Sequence, residues 1–375
     1  MFWIANTKYL VWLIFLLFIT TVNATEIDVT GYATVLAGYT DEKKAGYNDL
    51  LATNHLDFTN RSLAGLQFNA EMYKNVDFSL TLLMEGADEY IAHTDWFYIT
   101  YSATQDTSFR FGRLKVPFFM VSNYIDIGHA YPWVSPPPEV YDVRMAKSAD
   151  GMEYIYDTDL FGGTFLFDAY VGTGKHHQNL SASFIHDPTV NTANYTTGDK
   201  INYNLHDLVG FETSLSSDSV TFRIGHYQSK FNTTEFNIEN SKMRFNSVGL
   251  IIDWKNFLLY SEYITRESED NVQFLFPDQN SGYLTLGYKI SDFLPYITFA
   301  KMDKGKNKNE YNLLQESTTL GIRYNLNSRM DIKFQAAKIT PEKNDGDIGQ
   351  FGLFDQEIAL NEEPIVYTMS LDILF

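Results

Sequence analysis

The sequence predicts an all-β protein: a transmembrane, antiparallel up-and-down β-barrel of about 16 strands. Three observations predict this fold class: an export signal at the N-terminus, segments of alternating polarity along the rest of the chain, and a final strand that ends on Phe375. Aromatic residues make up 16% of the chain, yet no second long apolar stretch follows the N-terminal one. This composition excludes a helical membrane protein and is typical of a barrel, in which apolar side chains occupy alternate positions.

Residues 1–24 have the organisation of a secretory signal peptide. Lys8 supplies a positive charge, Tyr9 to Ile19 form an apolar run, and Val22 to Ala24 provide small residues for signal peptidase. The run is shorter than the roughly 20 residues that a membrane helix needs, so we expect cleavage after Ala24 rather than anchoring. Nothing in residues 25–375 resembles an interdomain linker, and we expect one barrel domain there.

Charge and residue content exclude several classes of function. The formal net charge is −19, which argues against nucleic acid as a partner, and the chain has no cysteine and therefore no disulfide. Neither a nucleophile elbow nor a Walker or dinucleotide-binding motif is present, so no enzyme and no cofactor are predicted. No metal site is predicted, because the neighbouring His176 and His177 point apart on an extended chain and residues 344–349 lack the carboxylate spacing of a calcium loop.

Segments of about ten residues with alternating polarity recur along the mature chain. Short turn-like connections alternate with long ones, which is typical of an up-and-down barrel. The predicted strands lie near 26–39, 58–72, 76–86, 94–103, 107–115, 149–157, 162–172, 205–215, 220–229, 244–254, 257–266, 282–290, 294–302, 317–326, 329–339 and 364–375. An even strand number with both termini on the short-turn side is the pattern of bacterial outer-membrane barrels.

The last strand shows the two-faced pattern clearly. Its odd positions from Ile365 to Phe375 are apolar, including Tyr367, whereas the even positions include Thr368, Ser370 and Asp372. We expect this strand to close the barrel against residues 27–40, because no backbone edge can face lipid. Alternation alone leaves a soluble sandwich open, since its apolar face would point inward, but the export signal and the strand count favour the barrel.

The export signal, the sixteen segments and the ending YTMSLDILF resemble a Gram-negative outer-membrane porin. Within that superfamily, FGRLKVPFFMVSNYIDIGHAYPWVSPPPEVYDV is similar to the region after the fifth strand of porin-like proteins of marine and environmental Proteobacteria. The resemblance implies a homotrimer of water-filled barrels in the lipid bilayer of the outer membrane, with a third external loop that folds inward. It also implies that Phe375 and Tyr367 belong to a C-terminal signal read by the outer-membrane assembly machinery.

Residues 116–148 between the fifth and sixth strands are long for a connection without a function. Five prolines stiffen this loop, and its many aromatic side chains, including Phe118, Phe119, Trp133 and Tyr141, need a surface on which to pack. We therefore expect the loop to lie against the inner barrel wall. A lid over the mouth, or docking at a subunit interface, remains the alternative.

Charged residues around this loop are the candidate pore and constriction residues. Because neighbouring residues of a strand point to opposite faces, Arg110 faces the lumen if Phe109 and Phe111 face lipid. Opposite charges facing each other would create a transverse field across a narrow pore, whereas local pairing on a wet wall would contribute little. An overall excess of carboxylates predicts a weak cation preference, which a local basic cluster would reverse. The candidates are Arg110, Arg113, Lys115, Asp126, Glu139, Asp142, Arg144, Lys147, Arg223, Arg323 and Lys333.

Three functions are compatible with these patterns. The first is passive diffusion of small hydrophilic solutes and ions through a water-filled channel. The second is a solute-selective channel in which the basic cluster captures an anion such as phosphate or an organic acid. The third, from another class, is a barrel that serves as the scaffold of an adhesin or an outer-membrane enzyme.

Overall fold

The computed structural model describes residues 26–48, 55–142, 145–179, 200–306, 314–343, 350–359 and 361–375. Sixteen antiparallel strands form one closed barrel in which each strand pairs with its chain neighbours and β1 pairs with β16. This confirms the predicted fold class and strand number. The signal peptide predicted at residues 1–24 lies outside the described residues. The strands are β1 (Ile27–Thr40), β2 (Leu63–Tyr73), β3 (Val76–Glu85), β4 (His93–Ser102), β5 (Thr107–Lys115), β6 (Ser148–Leu160), β7 (Gly163–Asn179), β8 (Lys200–Ser216), β9 (Val220–Thr233), β10 (Ile238–Trp254), β11 (Phe257–Ser268), β12 (Gln279–Tyr288), β13 (Phe293–Lys304), β14 (Gln315–Asn327), β15 (Met330–Pro341) and β16 (Ile365–Leu374).

Closure of the barrel follows the predicted pairing of the chain ends. The register of β1 on β16 runs from Tyr32 opposite Leu374 to Thr40 opposite Val366. Beyond it, the backbone N–H of Phe375 donates to the carbonyl of Gly31 at 2.9 Å, and the reverse bond is 2.6 Å long. The terminal residue is thus part of the seam, and its ring is 61% exposed at the short-turn end.

The exposure of the two faces of the barrel wall distinguishes a membrane barrel from a soluble sandwich, which the alternation of polarity alone did not. Outward positions are apolar and exposed, as for Leu320 and Met369. Inward positions of the same sheet are polar and buried, as for Thr368, Ser370 and Asp372. An apolar outer surface belongs in a bilayer and a polar inner surface in a lumen, so the molecule is a membrane barrel and not a sandwich.

Strands β7 to β10 are longer than predicted at the long-loop end. The seventh predicted strand ended at 172 and the eighth began at 205, whereas β7 continues to Asn179 and β8 begins at Lys200. Likewise β9 continues to Thr233 and β10 begins at Ile238. At their long-loop ends, β8 to β10 place apolar side chains on the inner face, where they pack against external loops. The alternation expected of a lipid-facing strand, with apolar side chains outward, is therefore reversed in these parts of the strands.

The long connections all lie at one end of the barrel, and the third of them joins β5 to β6. This connection, residues 116–147, carries the α-helix α1 (Pro138–Tyr141). Within the described part of the chain, no helix has both the length and the apolar character needed to cross a membrane. The short 3-10 turns are Gly86–Asp88, Ser122–Tyr124, Gly128–Ala130 and Asp270–Val272.

Candidate functional site: the lumen and the segment that crosses it

Residues 116–147, here called the lumen segment, are bound to the inner wall near both of their ends. Arg223 on β9 donates to the carbonyl oxygens of Pro117 and, at 3.3 Å, of Phe118. Glu262 on β11 accepts a bond from the backbone N–H of Met120 and one from the hydroxyl of Tyr141, both 2.9 Å long. One wall carboxylate therefore joins the outgoing and the returning limb of the segment.

The middle of the segment is bound to the wall further round the barrel. The indole N–H of Trp133 donates to the hydroxyls of Thr285 on β12, at 3.0 Å, and Thr298 on β13, at 3.2 Å. The backbone N–H of Val134 donates to Gln335 on β15 at 3.1 Å. Because a buried indole or amide donor without a partner costs free energy, these acceptors fix the path of the backbone.

A cluster of charges on β14 to β16 holds the turn at Gly128. The ammonium group of the fully buried Lys333 donates to the carbonyl of Gly128 and lies 3.1 Å from Asp372. His129 Nδ1 lies 2.5 Å from a carboxylate oxygen of Asp331, which also pairs with Arg323 at 2.9 Å. A Cβ at position 128 would collide with the side chains of Asp372 and Thr34, so glycine allows the close approach of this turn to the wall.

An aromatic core fills the space between the segment and the wall. The ring of Phe118 lies against that of Tyr227 with centroids 4.1 Å apart and the planes tilted by 31°, and Phe119 lies 5.4 Å from Phe245. Trp133 contacts Tyr260 edge-on at 5.0 Å. These loop side chains are at most 2% exposed. Contacts from β9 round to β16 therefore place the segment across the lumen, with its aromatic side chains buried.

The predicted basic cluster at the root of the segment is paired with acceptors. Arg113 donates to the Ser148 hydroxyl at 3.1 Å, and Arg110 also lies 4.9 Å from the ring of Tyr98. Arg144 lies outside the described residues. The ion pairs are Arg110–Glu153 at 3.0 Å, Lys115–Asp95 at 3.3 Å, Lys115–Asp126, and Lys147–Glu85 at 2.8 Å. The four described cations of this cluster therefore lie in one region, and three of them, all except Arg113, form ion pairs with carboxylates.

The remaining predicted acids lie at the returning limb. Glu139 in α1 is fully buried and accepts a bond of 2.7 Å from the amide of Gln315 on β14. Burial raises the pKa of Glu139 above its usual value. Asp142 pairs with Arg61 of the first external connection at 3.4 Å. These contacts tie the returning limb to the external mouth.

Several residues of the site were not predicted. Glu212 on β8 accepts the Arg223 guanidinium at 2.9 Å, and Asp331 and Asp372 balance the charge of Lys333. Parity identifies Asp331 and Asp372 as inward-facing, because they share a face with Lys333 and Ser370. Their role as anchors depends on where the segment runs, which no strand pattern encodes.

Two cavities flank the lumen segment. The one at the short-turn end has a volume of about 490 Å³ and is lined by Arg323, His129 and the turn that follows β14. The one on the external side has about 40 Å³, between Trp133, Glu139 and the hydroxyls of the wall. The smaller volume holds only a few water molecules.

One cluster among the described residues has metal-ligand geometry. Glu85, Asp88 and His93 bring ligand atoms within 4.8 Å of one another. Glu85 is paired with Lys147 and Asp88 with Lys200, at 2.8 and 3.2 Å, so a cation would have to displace two ammonium groups. The absence of a metal site stays a prediction, and the rejected calcium loop at 344–349 lies outside the described residues.

The closed barrel of sixteen strands has a porin-like fold. Solved structures with this fold include OmpT expressed in the outer membrane of Vibrio cholerae (12% identity, 93% of this chain and 97% of that one, TM-score 0.57). They also include an anion-selective porin from Comamonas acidovorans (13%, 93% and 99%, 0.58) and the outer-membrane channel DcaP of Acinetobacter baumannii (9%, 93% and 97%, 0.59). No protein-family model and no curated protein matches the chain. At these identities the likeness establishes the fold, and function must be argued from the lumen.

Proposed function

We propose that the protein is a passive channel of the outer membrane for small hydrophilic solutes and ions. The observation that carries this proposal is the lumen segment: its described residues are hydrogen-bonded to the inner wall and packed on wall aromatics, so the segment narrows the barrel from within. A polar wall supports water and ions, and a constriction within it sets which of them pass. The channel activity named for two of the similar structures supports the same reading.

Selectivity by size and charge is the finer form of this function. The contacts that the lumen segment makes from β9 to β16 support a low conductance that admits only small solutes. Capture of an anion by the basic cluster has weaker support, because carboxylates pair with Arg110, Lys115 and Lys147. We therefore propose a narrow channel with a modest preference for cations.

The proposal also covers export of the chain and assembly of the barrel. Signal peptidase would remove residues 1–24, and the C-terminal strand ending on Phe375 would direct insertion by the outer-membrane assembly machinery. A homotrimer is the expected assembly, by analogy with the porins that the sequence resembles.

Single-channel recording of the purified protein in a planar bilayer under a salt gradient tests the proposal. We expect small ohmic steps and a reversal potential of the sign that cations produce. Silence from protein that migrates as a folded barrel in unheated gels would refute the channel and favour the scaffold function.

A matched pair of variants tests the charge preference. Arg110 and Glu153 are partners on the inner wall. Removing the positive charge with Arg110→Ser should move the reversal potential towards stronger cation preference, and Glu153→Ser should move it the other way. Equal shifts in the same direction would show that neither residue acts through its charge.

A further inference from the structure

The cavity on the external side of the lumen segment contains a buried carboxyl group without a counter-charge. Glu139 is 0% exposed and forms no ion pair in the part of the chain that the structure describes. The amide of Gln315 donates to Oε1 at 2.7 Å. The other oxygen, Oε2, has no hydrogen-bond partner of normal geometry among the described residues, although the Ser317 hydroxyl lies beside this carboxyl. An ionised carboxylate in this position is costly unless a cation joins it.

The inner wall supplies neutral oxygen atoms to the same cavity. Ser317 and Thr319 on β14 line it, as do Gln335 on β15 and Thr368 on β16, which lie directly opposite each other in the sheet. The Thr368 hydroxyl is buried and, like Oε2 of Glu139, has no hydrogen-bond partner among the described residues. Two buried oxygen atoms without partners, one from the segment and one from the wall, therefore border one small space.

The charges around the cavity do not balance when Glu139 is ionised. Arg61 also lines the cavity, but it pairs with Asp142 at 3.4 Å. The two carboxylates therefore outnumber the guanidinium by one charge. Burial raises the pKa of Glu139, and the neighbouring Asp142 acts in the same direction. A proton or another monovalent cation would supply the missing charge.

The size and the donor atoms of the cavity indicate which cations fit. Its volume of about 40 Å³ holds about three water molecules, and potassium and ammonium ions are about as large as water. Calcium and magnesium prefer sites with several carboxylates. One carboxylate surrounded by neutral oxygen atoms instead balances a single positive charge, and a bulky cation such as tetramethylammonium exceeds the space.

We propose that Glu139, together with the hydroxyls of Ser317, Thr319 and Thr368, binds a small monovalent cation of the size of potassium. The cation joins α1 of the lumen segment to β14 and β16 and so holds the returning limb on the wall. The sequence-based prediction of no metal site considered histidine pairs and calcium loops, and a site built from one carboxylate and hydroxyls has neither pattern. This inference does not depend on whether the lumen conducts.

Hydrogen exchange of α1 tests the site. The N–H groups of Tyr141 and Asp142 donate to the carbonyls of Pro137 and Pro138, both at 3.1 Å, so they exchange when this turn opens. The protein in detergent is held at about pH 8, well above the usual pKa of a glutamate. Potassium chloride then replaces tetramethylammonium chloride at constant ionic strength, so that charge screening stays the same.

Three variants accompany the wild type. Glu139→Gln removes the charge and keeps the shape of the side chain, and Thr368→Val removes one hydroxyl and keeps the carboxylate. The matched control is Glu153→Gln, which changes a buried wall carboxylate that pairs with Arg110 away from the cavity. Migration of unheated samples in gels verifies that each variant is a folded barrel.

A bound cation slows exchange by the factor of one plus the ratio of its concentration to its dissociation constant. We expect a potassium concentration roughly ten times the dissociation constant to slow exchange about tenfold in the wild type and in the control. Glu139→Gln should abolish the response, and Thr368→Val should raise the dissociation constant about fivefold, because one neutral ligand is lost. Equal exchange of the wild type in potassium and tetramethylammonium would show that the cavity holds only water and a protonated Glu139. An undiminished response in Glu139→Gln would also refute the site.

Discussion

Glu262 is the residue through which the anchoring of the lumen segment is best tested. It accepts bonds from the Met120 backbone and the Tyr141 hydroxyl, so Glu262→Ala removes one anchoring bond from each limb of the segment. The guanidinium of Arg223 keeps its closer partner, Glu212, in this variant. The barrel wall should remain intact, because strand pairing does not involve the side chain of Glu262.

The magnitude follows from the two bonds. A hydrogen bond to a charged group contributes about 1.5 to 3 kcal/mol, which gives about 3 to 6 kcal/mol for the pair. Closing the segment also dehydrates the carboxylate, so the lower end of this range applies. A loss of about 3 kcal/mol raises the population of the detached segment roughly 100-fold.

The absence of cysteine from the chain permits a direct measurement. Val140, in α1 and fully buried, is changed to cysteine, and its reaction with a membrane-impermeant thiol reagent is followed. When opening is fast, the labelling rate tracks the population of the open form. We expect Glu262→Ala to accelerate labelling about 100-fold, whereas Glu153→Ala removes a wall carboxylate with no contact to the segment among the described residues and should leave the rate unchanged. Acceleration below threefold, or equal acceleration in both, would refute the anchoring role.

Three further predictions concern other parts of the molecule. Lys333→Met leaves Asp372 without its buried cation, a change that costs about 3 to 5 kcal/mol, so it should free the turn of the lumen segment and raise single-channel conductance. Deletion of Phe375 should slow appearance of the barrel in the outer membrane, measured by pulse-chase, without altering the conductance of barrels that form. Because burial raises the pKa of Glu139, the closed segment is most stable when this carboxyl is protonated and loses stability as the pH rises above its usual value. Hydrogen exchange of α1, corrected for intrinsic rates, should therefore increase from about pH 4 to pH 8 in the wild type and stay level in Glu139→Gln.

Most of the wall could be predicted from the sequence because a lipid-facing strand obeys a rule of period two. In β16, Met369 and Leu371 alternate with Thr368 and Ser370, and turn residues mark the short connections. The same rule placed Arg110, Arg223, Arg323 and Lys333 on the inner face. Each of these predictions requires only local sequence.

The pairing of those charges could not be predicted in the same way. Lys333 meets Gly128 and Asp372, which are distant from it along the chain, and Glu262 meets Met120 and Tyr141 of a loop without periodicity. Prolines and aromatics indicated that this loop was stiff and packed. They carry no information on which wall residue each part of the loop contacts.

The long-loop ends of β8 to β10, which were not predicted as strand, have a recognisable sequence pattern. On β9 the apolar positions change from Ile224, facing lipid, to Tyr227 and Phe231, facing the lumen, and on β10 they change from Val248 to Phe245. A strand that leaves the bilayer meets water or headgroups outside and packed loops inside, so its apolar side chains must change faces at the membrane boundary. This change of parity ends the simple alternation on which the strand prediction relied. It also locates the outer edge of the bilayer from sequence, just below the level at which Lys230 and Arg244 project from the outer wall.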